Sequence, residues 1–484
     1  MSNTAQTSAM DRIHTLLDDN SFVEIGAAVT KRSTNFNMQE ISVPADGVIT
    51  GYGVIDGNLV YVYSQDCNAL GGSIGEMHAK KITGLYDLAL KVGAPVIGLI
   101  DCAGLRLQEA TDALAGFGEL YLKQTMASGV IPQISAIFGT CGGGVAISAN
   151  LSDFTFMSEK DAKLFVNSPN ALDGNYTAKC DTGAAKFQAE AGNVDFTGAD
   201  DSDVLNQIRK LISILPSNNE DDASFEECTD DLNRTTDAFG AEILDPAKAL
   251  ADLSDNSFFM EVKKEYAQDM VTGFIRLNGM TIGAVANRKA VLNEEWKEEK
   301  SFDGTLTANG CYKAARFVEL CDAFNIPVLT LTNVNGYKAT TCEEKAIANA
   351  AAKLTYAFAN ATVPKVNVIV DKAYGSAYIS MNSKHIGADM VFALPTAQIG
   401  MMDAKSAVQI MYSSEIGKAS DAAALVDEKA ALYQTLQSSA QAAAERGYVD
   451  SIIDPVSTRK QLIYAYEMLF TKRESRPGKK HGTV

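Results

Sequence analysis

Two stretches decide the fold when laid one over the other: VIPQISAIFGTCGGG (130–144) and TVPKVNVIVDKAYGS (362–376). They lie 232 residues apart, and the same offset holds without a gap from 80–154 to 312–386. Pro95 falls on Pro327, Gly104 on Gly336, Pro132 on Pro364 and Gly143 on Gly375. Upstream, TGYGVIDG (50–57) resembles TGFIRLNG (272–279) at an offset of 222, so about ten extra residues precede the second unit's helix. Matched prolines, glycines and apolar runs in one register identify an internal duplication.

Each unit reads alike. A helical stretch (KKITGLYDLALKVG, 80–93; KAARFVELCDAF, 313–324) passes through proline into an apolar strand, VIGLI (96–100) or VLTLT (328–332). Strands apolar on both faces belong to a parallel sheet covered on both sides. A glycine-bearing loop, a helix (108–127; 343–361) and a second apolar strand follow. That strand runs into the second glycine loop and a further helix. The repeat predicts an α/β fold with right-handed crossovers, in two domains, 1–235 and 236–484. The acidic stretch SNNEDDASFEECTDDLNRTTD (217–237), without apolar periodicity, is expected to be a solvated linker.

Composition narrows the function. Sixty acidic against 42 basic residues give a net charge of −18, the wrong sign for a nucleic-acid binder. No apolar run approaches the ~20 residues that span a bilayer, and MSNTAQTSAMDRI (1–13) lacks the blocks of a signal peptide, so a cytoplasmic location is expected. The eight cysteines never form CxxC, which speaks against a zinc ribbon; no metal is expected, and the several cysteines in apolar runs are expected to be reduced, buried thiols.

The glycine loops carry the chemistry. In each unit two loops at the ends of adjacent strands direct backbone N–H groups into one crevice, and the second opens a helix. A phosphate or a reaction oxyanion fits such a place. The GK[ST] of a phosphate loop is missing, since Val145 follows Gly144, and so is GxGxxG. Side-chain catalysis is thinly supported. The four histidines (14, 78, 385, 481) stand outside any triad spacing, Ser376 in YGSAY has no histidine partner, and Cys141 reads as a buried small residue. Asp101, Glu109 and Glu119 are candidate bases, although helix capping explains Glu109 equally well.

The chain resembles the carboxyltransferase subunits of biotin-dependent acyl-CoA carboxylases and decarboxylases, of the crotonase-like superfamily. In the first half the resemblance rests on NSFVEIGAAVTKRSTNF, DGVITGYGVIDG, GGSIGE, DCAGLRLQE and SGVIPQISAIFGTCGGG. In the second it rests on KAARFVELCDAFNIPVLTL, GYKATT, KAYGSAYISMNSKHIGAD and LPTAQIGMM. It implies two tandem ββα superhelix domains, the first binding the acyl-CoA and the second biotin, with active sites between the first half of one subunit and the second half of another. It implies carboxyl transfer between biotin and the α-carbon of a short-chain acyl-CoA (acetyl-, propionyl- or methylmalonyl-CoA) through enolates held in two oxyanion holes, with no protein base required. Carried onto this chain, the first hole is the Gly143 and Gly144 amides and the second the Ser376 and Ala377 amides. Ala103 and Gly104 shape the floor of the first pocket and Asn335 and Gly336 that of the second; Ile379 lines the acyl pocket, and Leu105, Gly375 and Tyr378 are further substrate-binding residues.

This chain departs from the family pattern at DCAGLR, NVNGYKAT (333–340) and GSAYI, where DSGGAR, DVPGFxPG and GGAYD are usual. None of these changes puts proline at a donor. The absence of a biotinyl-lysine motif and of ATP-binding signatures implies a separate biotin carboxyl carrier protein. It also implies a separate biotin carboxylase or membrane decarboxylase subunit, the latter in a sodium pump, and a homo-oligomer built from dimers is expected. Alternatives are a crotonase-type CoA-thioester enzyme without biotin and a non-catalytic scaffold.

Overall fold

A computed structural model describes residues 7–221 and 225–478. Residues 1–6 of the leading segment, 222–224 of the acidic stretch and His481 lie outside the described residues. The chain divides into two compact units, Met1–Ser224 and Phe225–Val484.

Among the described residues the first unit holds eight strands: β1 (Val23–Ile25), β2 (Val48–Ile55), β3 (Asn58–Gln65), β4 (Val96–Cys102), β5 (Gln133–Gly142), β6 (Phe154–Ser158), β7 (Lys163–Phe165) and β8 (Phe196–Gly198). The second repeats them: β9 (Met260–Val262), β10 (Met270–Leu277), β11 (Met280–Asn287), β12 (Val328–Val334), β13 (Lys365–Tyr374), β14 (Met390–Ala393), β15 (Gln398–Gly400) and β16 (Ser451–Ile452). Sheet order is β1-β2-β3-β4-β5-β6-β8 with β7 on β5, and β9-β10-β11-β12-β13-β14-β16 with β15 on β13. The two topologies are identical. In each, the first three strands are antiparallel and the rest parallel.

Shared turn chemistry produces the shared topology. The hairpins close on Asp56-Gly57 (φ +48°, +84°) and Asn278-Gly279 (φ +51°, +77°), the all-positive pair that matches strand twist and that Asx-Gly adopts most readily. All seven residues of β4 and of β12 are buried, as their apolar runs predict. Helices Glu76–Val92 and Ala110–Ala127 cover the first sheet, and Ala308–Ala323 and Ile347–Asn360 are their counterparts. A carboxylate caps the first helix of each pair: Glu109 Oε2 accepts from the Glu76 amide at 2.6 Å and Glu343 Oε2 from the Ala308 amide at 2.7 Å. Paired lysines tie each helix to the turn before the hairpin. Lys81 donates to Ala45 O (3.1 Å) and Lys313 to Tyr266 O (2.8 Å).

The ten extra residues form a two-stranded hairpin, Ala290–Leu292 with Glu298–Ser301, at the point where the offset changes. Residues 225–237 of the expected solvated linker are mostly exposed, yet they are anchored to the second unit. Phe225 bridges Met280, the Glu226 amide donates to Gly279 O (2.9 Å), Arg234 holds Asp252 O (2.8 Å), and the buried Thr236 donates to Pro455 O (2.9 Å). Backbone bonds and polar side chains, rather than an apolar stripe, dock this segment. The compact second unit therefore begins at Phe225, eleven residues before 236.

Candidate active site

In the first unit, Cys102 pairs with Cys141 across β4 and β5, which sets the loop 103–105 beside 142–144. Gly104, at φ +115°, approaches the Gly142 carbonyl so that a Cβ would stand 3.5 Å from it. The first loop's own amides are engaged. Ala103 N–H donates to Gly71 O (2.9 Å), Gly104 N–H to Cys102 Sγ (3.3 Å), and Gly104 O accepts from the Ile74 amide (2.9 Å). Leu105 pairs with Ile74, half-buried. In the second unit, Val334 pairs with Ala373 and sets Asn335 and Gly336 (φ +139°) beside Gly375 (φ +64°) and Ser376.

The structure changes one donor of the first pair. Gly143 N–H donates to Phe165 O at 2.9 Å, where β7 runs beside β5, so that amide is already engaged. The helix Gly144–Asn150 begins one residue later, and the first amides of a helix have no partner within it. Among the described residues the amides of Gly144 and Val145 donate to no acceptor, and nor do those of Ser376 and Ala377 at the start of Gly375–Ser380. The 232 offset places Gly144 on Ser376 and Val145 on Ala377. Gly144 with Ser376 and Val145 with Ala377 thus correspond position for position, Val145 taking the place expected of Gly143; the Gly375 amide, counterpart of Gly143, also donates to no acceptor among the described residues. The signal for Val145 lay in the repeat register.

The reasons for glycine differ at the two positions. A Cβ on Gly143 meets nothing within 4 Å, but its φ of +62° with ψ −128° excludes other residues. On Gly144 a Cβ would lie 2.7 Å from Tyr121 Oη, which donates to Gly144 O at 2.7 Å. Ile147 and Ile379, equivalent by register, are 46% and 38% exposed, so each unit presents an isoleucine one turn beyond its free amides. Tyr378 is buried, with its hydroxyl unpartnered and its ring edge-on to His385.

Among the described residues the candidate bases form no acid–base pair. Asp101, buried, lies 3.5 Å from Arg12 and accepts from the Thr140 amide (3.2 Å). Glu109 bridges the buried Arg106 (2.8 Å) and the Glu76 amide, and Arg106 also binds Asp46 (2.6 Å). Glu119 is exposed. Burial pushes the Cys141 thiol well above its ordinary value and Cys102 to about 12, so neither is a thiolate near neutrality. Burial, with Arg106 nearby, pushes His78 down to about 3. Its Nδ1 faces Asp46 O (2.9 Å) and its Nε2 faces Gln65 Nε2 (3.1 Å), which is a neutral imidazole donating on one side and accepting on the other. Among the described residues no three His, Cys, Asp or Glu side chains converge to hold a metal, and no helix is long and apolar enough to cross a membrane.

Two units with the same main-sheet order, each presenting free amides where a strand passes into a helix, define an α/β protein of crotonase-like architecture. The carboxyl transferase domain matches residues 3–484. The methylmalonyl-CoA decarboxylase subunit alpha of Propionigenium modestum is 41% identical, over 99% of this chain and 93% of that protein. The propionyl-CoA carboxylase beta chain of Roseobacter denitrificans is 40% identical over the same shares. The transcarboxylase 12S crystal structure, a hexamer with methylmalonyl-coenzyme A and methylmalonic acid bound, superposes with a TM-score of 0.92 at 37% identity, covering 99% of this chain and 93% of that one. The chain belongs to the carboxyl transferase family, and is a carboxyltransferase of the biotin-dependent acyl-CoA carboxylases and decarboxylases.

Proposed function

We propose that this chain transfers a carboxyl group between carrier-bound biotin and the α-carbon of propionyl-CoA or methylmalonyl-CoA. The observation that carries this reading is the repeated pair of free amides, Gly144 with Val145 and Ser376 with Ala377. Transfer of a carboxyl group to or from an acyl-CoA places negative charge on a thioester oxygen, and the ureido oxygen of biotin gains charge in the same exchange. Fixed N–H donors at such oxygens are worth roughly 10²–10³ in rate each. The Gly144 and Val145 amides hold the thioester oxygen, and Ser376 and Ala377 hold the ureido oxygen. Biotin on its carrier supplies or accepts the carboxyl group. The first unit is thus the acyl-CoA side and the second the biotin side.

Ile379 and Ile147 offer apolar surface suited to a short branched acyl chain. Gly104, Gly336 and Gly375, all at positive φ, keep both loops low enough to admit substrate, with Ala103, Leu105 and Tyr378 lining them. Relatives named for methylmalonyl-CoA and propionyl-CoA support this acyl range. Partners are a biotin carboxyl carrier protein and either a biotin carboxylase or a membrane decarboxylase subunit, with the chain itself a cytoplasmic homo-oligomer. The relative named as a decarboxylase subunit favours the decarboxylase arrangement as a second reading. Decarboxylation of methylmalonyl-CoA that depends on added biotin tests the proposal, and a rate indifferent to biotin refutes it.

A further inference from the structure

We infer that Tyr121 and Ser380 are positioning residues that orient and polarise the Val145 and Ala377 amides, by donating hydrogen bonds to the carbonyl oxygens of Gly144 and Ser376. The inference rests on the proposed function and deepens it. A carbonyl oxygen and the N–H of the next residue belong to one peptide group. The group joining Gly144 to Val145 has Gly144 O at one end and the unspent Val145 N–H at the other. Tyr121 Oη donates to that oxygen at 2.7 Å. A donor on the oxygen draws charge along the group and makes its N–H a stronger donor, by roughly 10–30% per bond. It also fixes the plane in which the N–H points. The space for the hydroxyl exists because residue 144 is glycine, and burial raises the phenol pKa, so the hydroxyl keeps its proton.

The second unit reaches the same result with different residues. Ser380 Oγ donates to Ser376 O at 3.1 Å, on the peptide whose N–H is Ala377. A serine bonded one turn back is by itself ordinary helix behaviour. Here two further hydroxyls converge on it: Thr355 Oγ1 at 2.8 Å and Tyr337 Oη at 3.3 Å. Thr355 stands on Ile347–Asn360, the counterpart of the helix that carries Tyr121, and Tyr337 follows Gly336 in the first loop of that unit. Both units thus place a hydroxyl on the carbonyl opposite the second free amide, although the residues do not match by register. Position 353, equivalent to Tyr121, is lysine, and position 148, equivalent to Ser380, is a buried serine that donates to Gln124 instead (2.9 Å). A support that recurs where sequence identity does not points to a requirement of the site.

Difference infrared spectroscopy on the full-length protein tests this, with ¹³C-labelled thioester carbonyl in propionyl-CoA and ¹³C-labelled ureido carbonyl in free biotin. In the wild type each carbonyl band moves to lower frequency on binding. Tyr121→Phe is expected to return part of the thioester shift and leave the biotin band in place. It lowers kcat about 3- to 10-fold with KM for the acyl-CoA unchanged. Ser380→Ala does the reverse, moving only the biotin band, and Ser380→Thr restores it. Wild-type shifts that both Tyr121→Phe and Ser380→Ala leave intact overturn the inference while sparing the proposed function. Loss of thermal stability without a band change assigns these hydroxyls to packing alone and also overturns it. Absence of any wild-type shift removes both the oxyanion sites and this inference.

Discussion

The amide of Gly143 donates to the carbonyl of Phe165 at 2.9 Å, so the residue whose backbone most needs glycine is not the residue with a free donor. The two roles separate under mutation. Gly143→Ala keeps every amide but forces a Cβ onto φ +62°, at a cost of about 1–3 kcal/mol. Its Tm is expected to fall by several degrees, with turnover of the folded protein reduced far less than in a donor deletion. Gly144→Pro deletes one donor at the first helical position, where proline is tolerated, and kcat is expected to drop roughly 10²–10³ with the circular dichroism spectrum retained. Steady-state kinetics and thermal melts on the two variants check both statements.

Gly144→Ala probes the contact with Tyr121. The added Cβ would stand 2.7 Å from Tyr121 Oη, so the hydroxyl must move off Gly144 O. The double variant Gly144→Ala/Tyr121→Phe is expected to have nearly the kcat of Gly144→Ala alone, since the second change removes a bond already broken. Additive losses in a double-mutant cycle count against that coupling.

Glu109 and Glu343 cap equivalent helices in unequal surroundings. Glu109 also neutralises Arg106, which is buried with its Nε unpartnered. Glu109→Ala is therefore expected to destabilise by about 3–5 kcal/mol. Glu343, half-buried, loses mainly a cap in Glu343→Ala, at about 1 kcal/mol. Urea titrations compare them. A Glu109→Gln variant that folds normally and loses 10³-fold or more in kcat would return Glu109 to the role of a base.

His78 gives the stability a defined pH dependence. Its folded pKa, about 3, lies below its ordinary value of 6.5 because burial disfavours the imidazolium. Between those values the unfolded chain binds a proton that the folded chain does not, so stability falls as pH drops from 6.5 toward 3. The full contribution, on the order of 5 kcal/mol, is present above 6.5. His78→Gln is expected to flatten this part of the unfolding-free-energy profile, and a variant as acid-sensitive as the wild type contradicts the assignment.

Much of this architecture was legible because it was written twice. Pro95 and Pro327, Gly104 and Gly336, and the hairpins at Asp56-Gly57 and Asn278-Gly279 fix strand ends by chemistry that reads directly from sequence. Apolar runs located β4, β5, β12 and β13 for the same reason. The docking of 225–237 was not legible, because Arg234 and Thr236 hold it through carbonyls whose positions depend on the fold. Nor was the engagement of Gly143, since β7 joins β5 through backbone bonds that leave no trace in a three-residue strand. Tyr121 and Ser380 escaped for a third reason. They are not each other's counterparts in the repeat, and only geometry shows that they reach equivalent carbonyls.

Carboxyl transfer from [carboxyl-¹⁴C]methylmalonyl-CoA to free biotin, compared among the wild type, Gly144→Pro and Ser376→Pro, tests the central claim most directly. The predicted result is biotin-dependent transfer by the wild type and a loss of roughly 10²–10³ in each variant, one for each free-amide pair. Hydration of crotonyl-CoA without biotin, together with no transfer of label, would contradict it.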